Sequence, residues 1–224
     1  MAAPTIVFDL DGTLIDTAPD LVDTLNVVFA REGWPPVPYA TARNQIGGGA
    51  KMMIQRGVAA EGIVIAPAKL EQLFAEFIAH YDEHIADRSR PFPGLIDALD
   101  ELASRGCRLA VCTNKLERLS MRLLKRLNLA EHFAFVCGQD TFGTQKPDPE
   151  VLRRTVVAAG GNVAQAIMIG DSITDIRTAR AAGIPVIAVD FGYSDRPVSE
   201  LDPDRIISHF AQLQPAIAAI SPAI

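Results

Sequence analysis

The chain of 224 residues has little cysteine, no surplus of basic charge and no long apolar run, and each shortage removes a class of protein. Three cysteines, Cys107, Cys112 and Cys137, are too few and too scattered for a disulfide framework, and none lies in a Cys-x-x-Cys pair. Cys112 falls in an apolar stretch, so buried free thiols are expected. Lys and Arg number 21 against 27 Asp and Glu, a formal net charge of -6, which argues against a broad basic surface for nucleic acid polymers. No run of about 18 apolar residues free of charges or helix breakers occurs, so no membrane span is expected. The N-terminus has no basic leader, and its apolar start is broken by Asp9 and Asp11, which argues against a signal peptide. A reduced, cytoplasmic setting is the expectation.

What the chain does have is 49% hydrophobic content, enough for one full core and a smaller satellite domain. Thr5 to Phe8 reads as a strand that runs straight into Asp9-Leu10-Asp11-Gly12-Thr13. Residues two apart on an extended chain point the same way, so Asp9 and Asp11 can address one point, where their charges repel unless a cation or proton intervenes. Thr17 with Asp20 has the spacing of a capping box, and Leu21, Val22, Leu25, Val28 and Phe29 then repeat at helical period until Gly33. A second long helix is predicted from about Pro67 to Ile85, and Gly47-Gly48-Gly49 interrupts the sequence between the two. Residues 17–88 therefore read as an all-helical insertion.

From Pro91 onward helix and strand alternate. Strands are predicted at 108–112, 134–137, 166–169 and 185–189. Helices are predicted around Leu95 to Leu102, Leu116 to Leu127, Asp148 to Gly160 and Ser172 to Ala182. The strands are continuous apolar runs, as in parallel sheets covered on both faces. The expected fold is α/β, a doubly wound parallel-sheet core formed by residues 1–16 and 89–224, with residues 17–88 as a helical domain inserted after the first strand.

Ligands of open parallel sheets bind beyond the carboxyl ends of the strands. Those ends carry Asp9 and Asp11, Thr113 and Asn114, and Gly170, Asp171 and Asp175, while Lys146 precedes the helix that opens at Asp148. Acids without His or Cys among them favour Mg²⁺. Backbone N–H groups around Gly12 and Thr13, with Thr113, Asn114 and Lys146, are expected to hold phosphate oxygens. Charge neutralised from several sides lets a carboxylate attack phosphorus and form an aspartyl-phosphate, while a second carboxylate serves the leaving group and then the attacking water.

Asp9-x-Asp11-Gly12-Thr13, Thr113-Asn114, Lys146-Pro147 and Gly170-Asp171-Ser172-x-x-Asp175 resemble the four ordered motifs of the haloacid dehalogenase superfamily of phosphatases, whose cap is similar in place to the helical insertion. The resemblance implies Asp9 as nucleophile and metal ligand, and Asp11 as general acid/base with its backbone carbonyl on Mg²⁺. It also implies that Thr113 and Lys146 hold the phosphoryl group, that Asp171 is a metal ligand, and that Asp175 orients Lys146 or a metal-bound water. The stretches Phe8 to Pro19, Thr113-Asn114-Lys115, Lys146-Pro147-Asp148-Pro149 and Phe191-Gly192-Tyr193 are similar to the superfamily's phosphoglycolate phosphatase subgroup, which implies 2-phosphoglycolate as substrate. Asp11 speaks against haloacid dehalogenases and phosphonoacetaldehyde hydrolases, which lack an acid there. In the cap, Gly48, Gly49 and Lys51, with Arg43, are expected to receive the substrate's carboxylate, because a glycine-rich turn into a helix offers N–H groups to an anion.

Other small esters (sugar phosphates, nucleotides, pyrophosphate) remain alternatives at this stage, as do a phosphomutase on the same scaffold and a non-catalytic metabolite-binding module. A small phosphorylated metabolite is the expected partner, and the protein is expected to be a monomer or homodimer.

Overall fold

The computed structural model describes residues 4–220; the outermost residues assigned to the core, 1–3 and 221–224, lie outside the described residues. Six parallel strands form one sheet: β1 (Thr5–Phe8), β4 (Arg108–Cys112), β5 (Phe135–Cys137), β6 (Ala166–Gly170), β7 (Val186–Val189) and β8 (Arg205–Ile207), in the order β5-β4-β1-β6-β7-β8. The remaining two strands, β2 (Ile15–Asp16) and β3 (Arg90–Pro91), pair antiparallel as a small separate ladder. β1 thus lies inside the sheet, with β4 and β6 as neighbours, in register Phe8 to Val111 and Phe8 to Ile169. Its alternation divides the core: Ile6 and Phe8 join one buried cluster, Val7 the other.

The helices of the sheet layer are α5 (Leu95–Ser104), α6 (Glu117–Arg126), α7 (Pro149–Ala158), α8 (Ile173–Ala182) and α9 (Leu213–Ile220). Residues of α7 and α8 build the cluster around Val7, and residues of α5, α6 and α9 belong to the other, so both faces are covered. Asp148 caps α7 by accepting the Glu150 N–H, with Pro149 in the first turn. Ser172 and Asp175 form a reciprocal capping box on α8.

Four helices precede β3: α1 (Ala18–Arg31), α2 (Tyr39–Arg43), α3 (Ala50–Ala60) and α4 (Pro67–Glu83). The stripe Leu73, Phe77 and Tyr81 of α4 is buried among Leu25, Phe29 and Met53. The chain leaves the sheet through β2 and returns through β3, so the two crossings are adjacent.

The capping box expected at Thr17 does not form: the Thr17 side chain makes no cap hydrogen bond, and its hydroxyl is buried without a partner. Asp20 instead accepts hydrogen bonds from the Arg88 and Ser89 N–H groups and the Ser89 hydroxyl, at 2.6–3.2 Å. Its carboxylate ties the two crossings together, a tertiary use that outcompetes the local one.

Candidate active site

In-register parallel strands bring their carboxyl ends to one edge of the sheet, and the residues that follow β1, β4 and β6 meet there. Oxygens of Asp9, Asp171 and Asp175 lie within 4.8 Å of one another, and all three residues are buried. Lys146 enters from the loop before α7, its ammonium 2.6 Å from Asp175 Oδ1 and 2.8 Å from Asp9 Oδ1. The first contact is a directed hydrogen bond and the second a short ion pair, so one ammonium serves both carboxylates. Burial pushes the Lys146 pKa down, but the two carboxylates push it further up, so the ammonium stays charged.

Three buried carboxylates sharing one ammonium leave negative charge in excess. Burial, against the opposing pull of Lys146, raises the Asp9 pKa to about 6. Burial and then the Asp175 and Asp9 charges raise Asp171 well above the usual carboxylate range. A set of oxygen donors with surplus negative charge and no nitrogen or sulfur fits a hard divalent cation. Asp175 is committed on both oxygens, to Lys146 through Oδ1 and to the Ser172 N–H and hydroxyl through Oδ2.

Asp171 is held from two sides: Oδ2 accepts the Tyr193 N–H at 2.6 Å and Oδ1 the Thr13 hydroxyl at 3.3 Å. Gly12, at φ 86°, is required here because a Cβ would collide with the Asp171 carboxylate and the Tyr193 ring. The Gly12 N–H is used in the turn, donating to Ile15 O at 2.9 Å, so it is not the free phosphate donor expected. Thr113 is buried, and its hydroxyl accepts the Lys115 N–H at 3.2 Å, leaving the hydroxyl proton for a ligand oxygen.

Asn114 also has a structural role. Its amide donates to Lys146 O and its carbonyl accepts the Lys146 N–H, both at 3.0 Å, so the carboxamide clamps the Lys146 backbone, and one of its two N–H donors is left over. Asp11 lies apart from the buried triad: both its oxygens accept from the Lys115 ammonium, at 2.9 and 3.1 Å. Lys115 is buried and lies over the Tyr81 ring of α4, 4.4 Å from its centroid.

A cavity between the sheet edge and the helical insertion is lined by Asp9, Asp11, Thr113 and Lys115 below and by Met53, Phe74, Phe77 and Tyr81 above. Gly49 lines it at the start of α3, at φ 85°, and a Cβ there would meet Asn114 O at 3.2 Å. Gly48 lies beside it in a neighbouring crevice with Met52 and Arg56. Two expected cations face elsewhere. Lys51 is half exposed on α3 and bound to Glu71 at 2.7 Å, and Arg43 donates to Phe191 O and covers the Tyr193 ring. Lysine at the second residue of α3 points along the helix surface toward α4, a direction that sequence spacing alone does not reveal.

Lys115, Tyr81 and Tyr193 are the site residues that motif reasoning did not assign. Lys115 follows Thr113-Asn114 directly at a strand end, and Tyr193 follows β7 by a few residues, so the strand-end rule reaches both. Tyr81 comes from the insertion and carries no local signal beyond its helical stripe.

The family model for haloacid dehalogenase-like hydrolases matches residues 6–189. The chain belongs to this family. A relative, the phosphoglycolate phosphatase of Mesorhizobium japonicum, is 49% identical over 97% of this chain and 96% of its own. That of Agrobacterium fabrum is 46% identical over 96% and 92%. Among solved structures, one described as a predicted phosphoglycolate phosphatase from Haemophilus somnus superposes with a TM-score of 0.88 at 27% identity, covering 95% of this chain and 97% of that one. Within the haloacid dehalogenase-like hydrolases the chain is a phosphatase.

Proposed function

We propose that the protein is a Mg²⁺-dependent phosphatase of 2-phosphoglycolate, acting through an aspartyl-phosphate on Asp9, with the helical insertion as its cap. The observation that carries this reading is the division of labour among the acids. Asp9 is buried with an oxygen 2.8 Å from the Lys146 ammonium, while Asp11 stands on the cavity side with a cation of its own. The relatives' names agree with a short ester as substrate.

In this reading the Asp9 carboxylate attacks phosphorus, and the ester bond to the alcohol breaks as the P–O bond to Asp9 forms. Asp11 gives its proton to the leaving oxygen and takes one back from the water that later cleaves the aspartyl-phosphate. Lys146 and the Thr113 hydroxyl hold phosphoryl oxygens, so the charge that builds on them meets donors already in place. Asp9, Asp171 and the Asp11 backbone carbonyl would hold Mg²⁺, which supplies neutralising charge to both the carboxylate and the phosphoryl group. The apolar cap wall keeps bulk water from the reacting centre. Free buried thiols agree with a reducing, cytoplasmic setting, and among the described residues no helix is long and apolar enough to cross a membrane.

The test is phosphate release from 2-phosphoglycolate, sugar phosphates, nucleotides and pyrophosphate, with and without Mg²⁺, in wild type and Asp9→Asn. Release from 2-phosphoglycolate should lead the panel and fall by about 10³-fold or more without Asp9. Activity that survives Asp9→Asn overturns the nucleophile, and preference for another ester overturns the substrate.

A further inference from the structure

The cavity has an asymmetry of charge that bears on what it admits. Its upper wall is apolar, with Ile46, Met53, Phe74, Phe77 and Ile78, and its lower wall carries the acids Asp9 and Asp11. A substrate with a carboxylate beside its phosphate meets repulsion there unless a cation faces it. Among the described residues that line this cavity, Lys115 is the one that carries positive charge; Lys51 and Arg43 are outside it.

Lys115 has the placement such a substrate requires. In 2-phosphoglycolate a single methylene separates the ester oxygen from the carboxyl group, so the carboxylate must lie close to whatever protonates the leaving oxygen. The Lys115 ammonium touches Asp11, the residue given that task above, and an ammonium has three donors of which Asp11 takes two. Tyr81 closes the arrangement. Its ring lies under the ammonium, and its hydroxyl is buried with no hydrogen-bond partner among the described residues. A buried hydroxyl left unpaired is costly, and a ligand oxygen beside Lys115 is the partner that would satisfy it.

We propose that Lys115 and the Tyr81 hydroxyl form the receptor for a carboxylate on the leaving-group side of the substrate, and so set the preference for short phospho-acids. The assignment rests on the phosphatase reading above and replaces the Gly48-Gly49-Lys51 turn as the place where the carboxylate binds. Lys115 comes from the core, next to Thr113, so one loop holds both the phosphoryl group and the acid that distinguishes the substrate.

The experiment compares kcat/KM for 2-phosphoglycolate and for ethyl phosphate, an ester of similar length whose alcohol part carries no charge, in wild type, Lys115→Gln, Lys115→Arg and Tyr81→Phe. The ratio of the two constants is the readout, because disturbed alignment of Asp11 lowers both constants and leaves the ratio in place. Lys115→Gln should lower the ratio by about 100-fold, chiefly through KM, and Tyr81→Phe by about tenfold, as loss of hydrogen bonds to a charged group predicts. Lys115→Arg should keep most of the preference. A ratio unchanged in Lys115→Gln overturns the receptor while the phosphatase reading stands. No preference for the acid in wild type overturns both the receptor and the substrate, and no hydrolysis of either ester by wild type overturns the phosphatase reading itself. Should Lys115→Gln fail to fold, Tyr81→Phe and Lys115→Arg decide the matter by the same ratio.

Discussion

The two walls of the cavity are built in opposite ways. At the sheet edge nearly every polar side chain is fixed by another: Lys146 joins Asp9 to Asp175, Asp175 is boxed with Ser172, Asn114 clamps the Lys146 backbone, and Asp171 is held by Tyr193 and Thr13. The insertion offers the cavity side chains such as Met53, Phe74 and Phe77, and polar ties to the core such as Arg43 with Phe191, Asp20 with Ser89 and Asp82 with Arg122 lie off to the side. The difference teaches where each part of the work resides. Charge for the chemistry is preorganised in the rigid layer, where it costs no rearrangement during reaction, and the insertion supplies shape and dryness.

The sharpest way to break this comparison is to remove the cation that the rigid wall is built around. Lys146→Met leaves Asp9 and Asp175 buried without their partner, and phosphate release should fall by about 10²- to 10³-fold. Urea denaturation should show a loss on the order of 3–5 kcal/mol, the cost of a buried charge pair broken on one side. Activity within tenfold of wild type would mean that the network is only structural.

A smaller effect comes from pH and Mg²⁺ acting on the same wall. The folded Asp9 holds its proton up to about pH 6, against an ordinary value of 3.8, and Asp171 is shifted in the same direction. The stability this gives the metal-free protein is fully present below the ordinary value and is lost as pH rises through the folded one. Mg²⁺ competes with those protons, so the rise in Tm it causes should be several degrees above pH 6 and close to nothing near pH 4. Equal shifts at both would take the acids out of the metal site.

The smallest expected effect is on the other wall. Lys51→Ala removes an exposed pair with Glu71, which is expected to change stability by less than about 1 kcal/mol. It should also leave the preference for 2-phosphoglycolate over ethyl phosphate within about twofold of wild type, since the residue is outside the cavity. A tenfold loss of preference would return the carboxylate to the insertion and undo the division between the walls.

The same division explains what was legible in the sequence. Five of the six strands of the sheet could be read, because apolar runs ending in Asp9, Thr113 and Asp171 combine a period with a chemistry, and the strand-end rule then places them together. β8, whose residues Arg205 and Ile206 are exposed, has no apolar run to mark it, and the two-residue strands β2 and β3 are too short to show a period. The partners of Asp20 and Asn114 were missed for one reason. Each has a local reading, in a capping box or on a ligand, and each is taken up by backbone groups 68 or 69 and 32 residues away that no local pattern contains.

The β2–β3 ladder sets the terms on which such a molecule can change. Ile15 faces Pro91 and Asp16 faces Arg90, so the excursion of more than seventy residues between them begins and ends at neighbouring points. A segment with adjoining ends can be lengthened, shortened or exchanged with little effect on the sheet that carries it. With Lys115 on the sheet side of that boundary and Tyr81 on the other, a new insertion would inherit the reaction and the cation that faces a nearby anion. It would be left to redraw the outline of what fits and the hydroxyl beside that cation.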